Sequence, residues 1–263
     1  MANFNIELYA NSLHRWTSFK MCIPNDPRTD CPQPEKTPQQ KRPMKTLFLL
    51  HGYTGKGDNW VPEDLCVKYN FAVVAPTAEN SFYLDGLSTG HAFQTFVGVE
   101  LVDYVRRTFG LAMKREDTYI MGLSMGGFGA LHTALAYPET FSKAAPLSAA
   151  FIHHEVAAMK PGTGNAVANY DYYRECFGEP EKLLESENNP EVLVKKLKSE
   201  GKQMPEIFMS VGYDDFLLKE NRAMHAFLEE QGVPHMYWET DGNHDMDFWN
   251  KSVQKFVPLM FAD

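Results

Sequence analysis

A chain of 263 residues is long enough for one large α/β domain or two small ones, and no shift in composition marks a break between halves. Its 25 Lys and Arg against 34 Asp and Glu leave a net charge of -9, which argues against nucleic acid or an anionic membrane surface as partner, since both demand clustered positive charge, and favours neutral substrates. Met1 to Ser12 carries neither a basic leader nor a secretory apolar run, no stretch approaches the roughly 18 apolar residues of a membrane span, and Cys22, Cys31, Cys66 and Cys176 fit neither a zinc pattern nor a C-x-x-C pair. A cytoplasmic protein with reduced thiols is expected.

Segments 4–8 and 17–23 read as two short strands with a turn between them, a pattern that opens a sheet with an antiparallel hairpin. Six of the 16 prolines then fall between Pro24 and Pro43, so that stretch is expected to be a surface loop. Segments 45–50 and 71–75 are short apolar runs of the buried-strand kind, the first ending in His51-Gly52 and the second closed by Pro76. From Val97 the residues Val97, Leu101, Val102, Val105 and Phe109 recur at helical spacing, with Glu100, Asp103, Arg106 and Arg107 on the other face.

Segment 118–123 follows as a strand, 125–137 as a helix of small residues stopped before Pro138, and 144–147 as the next strand. This β-α-β alternation predicts a mostly parallel sheet with helices on both faces. Segment 151–205 breaks the pattern, being rich in charge and short of strand-like runs, and is expected to be a cap inserted into a single α/β domain spanning 1–263. The alternation resumes with a strand at 207–211, a helix carrying Met224, Phe227 and Leu228 and stopped by Gly232, and a last strand at 236–239. A C-terminal helix places Trp249, Val253, Phe256 and Met260 on one side, and Pro258 is expected to bend or end it.

The sharpest chemical signal is Gly122-Leu123-Ser124-Met125-Gly126-Gly127, a G-x-S-x-G between a predicted strand and a predicted helix. A serine hydroxyl becomes a useful nucleophile when a tight turn presents it near backbone N–H groups, and the flanking glycines permit that turn. Such a serine needs a base and the base needs an orienting carboxylate, met in this fold in the chain order Ser, Asp or Glu, His, each after a strand. Asp214 and Asp215 follow the strand at 207–211, and His244 follows the strand at 236–239. Of the nine histidines only His225, His235 and His244 follow the aspartates; His225 falls within a helix and His235 at the start of a strand, which leaves His244 as the base. The oxyanion formed in acyl transfer needs two N–H donors. Met125 supplies one by its position after the nucleophile, and the loop His51-Gly52-Tyr53-Thr54-Gly55 supplies the second from Tyr53.

Other conspicuous residues point to structure. Gly55-Lys56-Gly57 lacks the G-K-[ST] ending of a phosphate loop. His153-His154-Glu155 suggests a metal site, but three consecutive residues of a regular element do not converge on one ion, so a solvated face of the cap is expected there.

With these motifs assembled, the chain resembles the esterase D group, most closely the bacterial tributyrin-type esterases related to feruloyl and acetyl-xylan esterases. The residues that carry the resemblance are L-L-H-G-Y-T-G at 49–55, A-E-N-S-F-Y at 78–83, K-R-E-D-T at 114–118, G-L-S-M-G-G-F-G-A-L at 122–131, G-Y-D-D-F-L at 212–217 and G-N-H-D at 242–245. The resemblance implies an α/β-hydrolase fold, a nucleophile at Ser124, an acid at Asp215 (the residue before Phe216), a base at His244 and oxyanion donors at Tyr53 and Met125. It implies hydrolysis of short acyl esters with no metal or organic cofactor, and leaves room for a homo-oligomer. S-formylglutathione hydrolases of the same group usually carry histidine before the nucleophile and a G-L-T-C oxyanion loop. This chain has Leu123 and Gly52-Tyr53-Thr54-Gly55 there, which speaks against thioester hydrolysis.

Three further readings compete. An acetyl-xylan or feruloyl esterase acting on plant-wall oligosaccharides would use the same residues, a peptidase is open to the same fold, and a non-catalytic scaffold would ordinarily have lost one of the three side chains that this chain retains.

Overall fold

The computed structural model of the chain describes residues 1–24, 30 and 35–262. Its strands are β1 (Ala2–Ala10), β2 (Arg15–Ile23), β3 (Lys45–Leu50), β4 (Phe71–Pro76), β5 (Thr118–Leu123), β6 (Lys143–Leu147), β7 (Glu206–Gly212) and β8 (His235–Thr240). They form one 8-stranded sheet in the order β1-β2-β4-β3-β5-β6-β7-β8. The β1–β2 and β2–β4 pairings are antiparallel and every other pairing is parallel, as expected of the fold class.

Every residue of β3, β4, β5 and β6 is buried, as central parallel strands covered on both faces must be. Successive side chains of β3 enter opposite cores, Leu47 and Leu49 one and Phe48 and Leu50 the other. The helices are α1 (Glu63–Tyr69), α2 (Phe93–Thr95), α3 (Leu101–Phe109), α4 (Met125–Ala136), α5 (His153–Ala158), α6 (Tyr170–Phe177), α7 (Pro180–Leu183), α8 (Pro190–Ser199), α9 (Leu218–Glu230) and α10 (Met246–Met260). The first core takes Leu65 of α1 and Phe248, Trp249, Val253 and Phe256 of α10; the second takes side chains of α3, α4, α9 and the helices of 151–205.

The amphipathic helix foreseen from Val97 begins earlier, at Phe93, and a π-helical turn over Phe96–Glu100 joins α2 to α3. Gly98 in that turn lies against the ring of Tyr137, where a Cβ would come within 2.2 Å of Cε2. The stretch 24–43 is not loop throughout: Gln39–Lys41 forms a 3-10 turn, while 25–29 and 31–34 lie outside the described residues. Pro258 does not stop α10, which runs on to Met260, because the proline sits so near the end that the hydrogen bond it forgoes is one of the last.

Cys22, Cys66 and Cys176 are buried free thiols, and burial pushes Cys66 and Cys176 up to about 12; Cys31 lies outside the described residues. Among the described residues no helix is long and apolar enough to cross a membrane.

Candidate active site

The chain leaves β3 to form β4 on one side and later places β5 on the other, so the strand order reverses at β3. At such a point the loops beyond the strands' C-terminal ends diverge around a crevice. The register pairs Leu50 with Gly122, which sets the loop after β3 beside the turn after β5. Contact there is close: a Cβ on Gly52 would meet Leu123 Cδ1 at 2.7 Å and Ser124 Cβ at 3.5 Å.

Ser124 occupies the turn between β5 and α4 with φ 55 and ψ -119, a backbone conformation an L-residue holds only when its surroundings impose it. Three hydrogen bonds impose it. The Ser124 N–H donates to the Leu147 carbonyl (2.9 Å), and the Ser124 carbonyl accepts from Phe128 N–H (3.1 Å) and Ala150 N–H (3.0 Å). The two flanking glycines complete the turn, since a Cβ at Gly122 would lie 2.1 Å from the Gly126 carbonyl oxygen and one at Gly126 2.4 Å from that of Leu50.

The loop that carries Tyr53 is held by its neighbour. His51 Nδ1 lies 2.8 Å from the Gly52 carbonyl oxygen and its Nε2 3.0 Å from the Ala78 N–H. A carbonyl only accepts and an N–H only donates, so the ring is fixed as the neutral Nδ1–H tautomer. Burial lowers its pKa in the same sense. The Tyr83 hydroxyl donates to the His51 carbonyl (2.9 Å), and the Thr54 N–H to Asn80 Oδ1 (2.7 Å).

Asp215 and His244 come from the loops after β7 and β8. His244 Nδ1 is 3.0 Å from each oxygen of the Asp215 carboxylate, and the Leu217 N–H donates to Asp215 Oδ1 at 2.8 Å. Burial raises the Asp215 pKa, but the hydrogen bonds from His244 and the Leu217 N–H hold the group below the ordinary carboxylate range. Asp214 is exposed, and its own N–H donates to the Gly242 carbonyl at 3.0 Å, continuing the β7–β8 ladder past the strands. Phe216 and Trp249 flank the imidazole, with ring centroids 4.4 and 5.0 Å away.

Ser124, Met125, Tyr53 and His244 line one cavity of about 630 Å³, and Asp215 stands behind His244 with 4 % exposure. All five residues singled out in the sequence are thus brought together; His225 and His235 are not, and contact each other elsewhere (Nδ1 to Nε2, 2.7 Å). The cavity wall is largely aromatic and aliphatic, with Glu155, Asn165 and Glu220 as its charged and amide members.

The sequence reading missed Asn221. Fully buried, it accepts from Ala149 N–H (3.2 Å) and donates to the carbonyls of Ala149 (2.9 Å) and Leu217 (2.8 Å), tying α9 to the turn after β6. A signal was present: Asn221 shares the helical stripe of Met224 and Leu228, where a polar residue must find buried partners. The expected solvated face at 153–155 is also corrected, because His153 is 2 % exposed and only His154 and Glu155 reach solvent.

A family model described as "Putative esterase" matches residues 31–259. An acetyl esterase of Caldicellulosiruptor saccharolyticus is 40% identical over 260 residues, covering 96% of each chain. Among solved structures, the Staphylococcus aureus fluorophosphonate-binding serine hydrolase FphF aligns with a TM-score of 0.83 at 26% identity, covering 100% of this chain and 99% of its own. The S-formylglutathione hydrolase FrmB of the same organism aligns at 0.81 and 25% identity, covering 99% and 98%. The elbow at Ser124, the sheet that positions it and these matches over nearly the whole length lead to one assignment: the chain is a hydrolase of the α/β-hydrolase fold and belongs to the esterase family.

Proposed function

We propose that the protein is a serine carboxylesterase that hydrolyses short-chain acyl esters through Ser124, His244 and Asp215. The observation that carries the reading is the symmetric contact of His244 Nδ1 with buried Asp215, on a ring that shares its cavity with the strained Ser124. Asp215 keeps the proton on Nδ1, so Nε2 is the nitrogen free to act as base. Ser124 Oγ attacks the ester carbonyl and gives its proton to Nε2. The oxyanion forms against the Tyr53 and Met125 N–H groups, and the alcohol departs with the proton that His244 returns. Water then attacks the acyl-serine by the same route, releasing the acid and restoring the hydroxyl.

Support for a small acyl group comes from the acetyl esterase at 40% identity and from Tyr53, which packs edge-on to Tyr172 at the cavity wall (5.9 Å). Segment 151–205 acts as a cap in this reading, since Ile152, Asn165, Val167 and Tyr173 belong to the wall. A second reading, an esterase of acetylated or feruloylated sugars, is favoured by Glu155 and Glu220, whose carboxylates offer acceptors to the hydroxyls of a carbohydrate alcohol.

Nitrophenyl esters graded from acetyl to decanoyl, with acetylated xylo-oligosaccharide and methyl ferulate alongside, test both readings. Rates should fall beyond butyryl; a steady climb to decanoyl would refute the short-chain reading. Ser124→Ala should lose several orders of magnitude in turnover and all labelling by a fluorophosphonate. Retention of more than about a tenth of the activity would exclude Ser124 as nucleophile.

A further inference from the structure

Segment 151–205 gathers three side chains for which ester hydrolysis has no use. His153 and His154 open α5, and Glu191 stands in the first turn of α8. Consecutive helical residues point about 100° apart, yet these two rings lie side by side, with centroids 4.6 Å apart. His154 Nε2 is 2.8 Å and His153 Nε2 is 3.4 Å from the same Glu191 Oε1. The three ligand atoms lie within 4.8 Å of one another. The carboxylate that completes the group is therefore Glu191, distant in sequence, whereas Glu155 accepts instead from Asn165 Nδ2 at 2.9 Å.

A surface ion pair accounts for His154 and Glu191 but not for His153. That ring is 2 % exposed, its Nε2 faces the carboxylate, and its Nδ1 is buried with no hydrogen-bond partner. An ion pair has no need of a second imidazole held inside the protein with its Nε2 turned to the same carboxylate oxygen. Tetrahedral bonds of 2.0–2.1 Å set ligand atoms about 3.3 Å apart, so the two spacings to Glu191 stand within about half an ångström of what an ion requires, and a rotation of the exposed His154 ring sets its distance from His153. Two imidazoles and one carboxylate suit zinc and its transition-metal neighbours, whereas calcium and magnesium take oxygen ligands. His154, whose side chain is 56% exposed, leaves a path for the ion to enter.

We propose that His153, His154 and Glu191 form a binding site for a divalent transition-metal ion, zinc above all, that clamps α5 to α8 and keeps water as its fourth ligand. On binding, each histidine presents Nε2 as a lone pair and carries its proton on Nδ1. The clamp bears on the cavity wall: Ile152 and Glu155 line the cavity on either side of the histidine pair, and α8 packs on α4, which starts from Ser124.

The experiment uses the whole protein freed of metal by a chelator and then titrated with Co²⁺ or Zn²⁺, with no substrate present. One Co²⁺ per chain should bind with the strong visible absorption of a tetrahedral site, Zn²⁺ should displace it, and Zn²⁺ should raise Tm while Mg²⁺ does not. His154→Ala, at an exposed position, and Glu191→Gln should each weaken binding at least about tenfold and abolish the rise in Tm. Ser124→Ala and His225→Ala should bind as the parent does, which separates this site from the catalytic residues and from the His225–His235 pair. Absence of the Co²⁺ absorption in the parent protein, or binding left unchanged by both His154→Ala and Glu191→Gln, would overturn the proposal.

Discussion

His244 meets Asp215 evenly, its Nδ1 3.0 Å from either carboxylate oxygen, while the neighbouring Asp214 is exposed to solvent. An amide in place of the carboxylate offers an NH₂ group where an acceptor is required and drives the imidazole into the wrong tautomer. Asp215→Asn should therefore lose about 10⁴ in turnover at neutral pH, as in a related triad. Asp214→Asn should lose little. Steady-state kcat for the two variants under one set of conditions decides it, and the reverse ranking would move the acid to Asp214.

Gly126 tolerates no side chain. A Cβ there would stand 2.4 Å from the Leu50 carbonyl oxygen and 2.6 Å from that of His51, backbone atoms at the end of β3 and the start of the loop after it. Gly126→Ala should destabilise the fold by about 3 kcal/mol or more, in the range of overpacked cores, and should displace the Tyr53 N–H from Ser124. Urea midpoints at constant slope measure the first effect, and kcat of the residual folded protein the second.

In the proposed mechanism Tyr53 lends its backbone N–H to the oxyanion, while its ring belongs to the cavity wall, so the two roles can be separated. Tyr53→Ala keeps the N–H and removes the ring. The ratio of octanoyl to butyryl hydrolysis should rise by about tenfold, the discrimination that a small change in an apolar pocket provides. An unchanged ratio would place the acyl chain against another wall.

The pH dependence of stability has a definite sign on the acid side. Burial holds His132 at about 4 against an ordinary 6.5, even though its Nε2 meets the Glu187 carbonyl. Between pH 6.5 and 4 the unfolded chain binds a proton that the folded chain refuses, so stability falls as pH falls through that window. By pH 4 the loss reaches on the order of 3 kcal/mol, at about 1.4 kcal/mol per pH unit. His132→Gln, which keeps a donor for Glu187, should flatten this limb in urea unfolding at pH 7 and pH 4 with chelator present. An unchanged slope would assign the proton uptake to other groups.

Most of the sheet was legible because burial on both faces forces continuous apolar runs, and 45–50, 71–75, 118–123 and 207–211 each fall on a strand. The elbow was legible because Gly122 and Gly126 face backbone that leaves no room for a Cβ. The helices α5 to α8 were not. They are short, and many of their residues are charged and exposed, so no apolar period stands out. The burial of His153 was beyond local reasoning, since it depends on Glu191 arriving from another helix. The π-turn was hidden too: one extra residue per turn leaves Phe96 and Val97 as apolar as an α-helix would.

His244 hangs from the rim of the sheet. β8 pairs with β7 alone, and none of its residues is fully buried, whereas Ser124 follows β5 in the middle of the sheet. Edge elements open at lower free energy than central ones. As denaturant is raised, turnover should therefore vanish while the far-ultraviolet signal of the central strands persists. Ageing or mild heating would produce the same partial state, a protein still folded by spectroscopy that keeps the proposed nucleophile in place and has lost the proposed base.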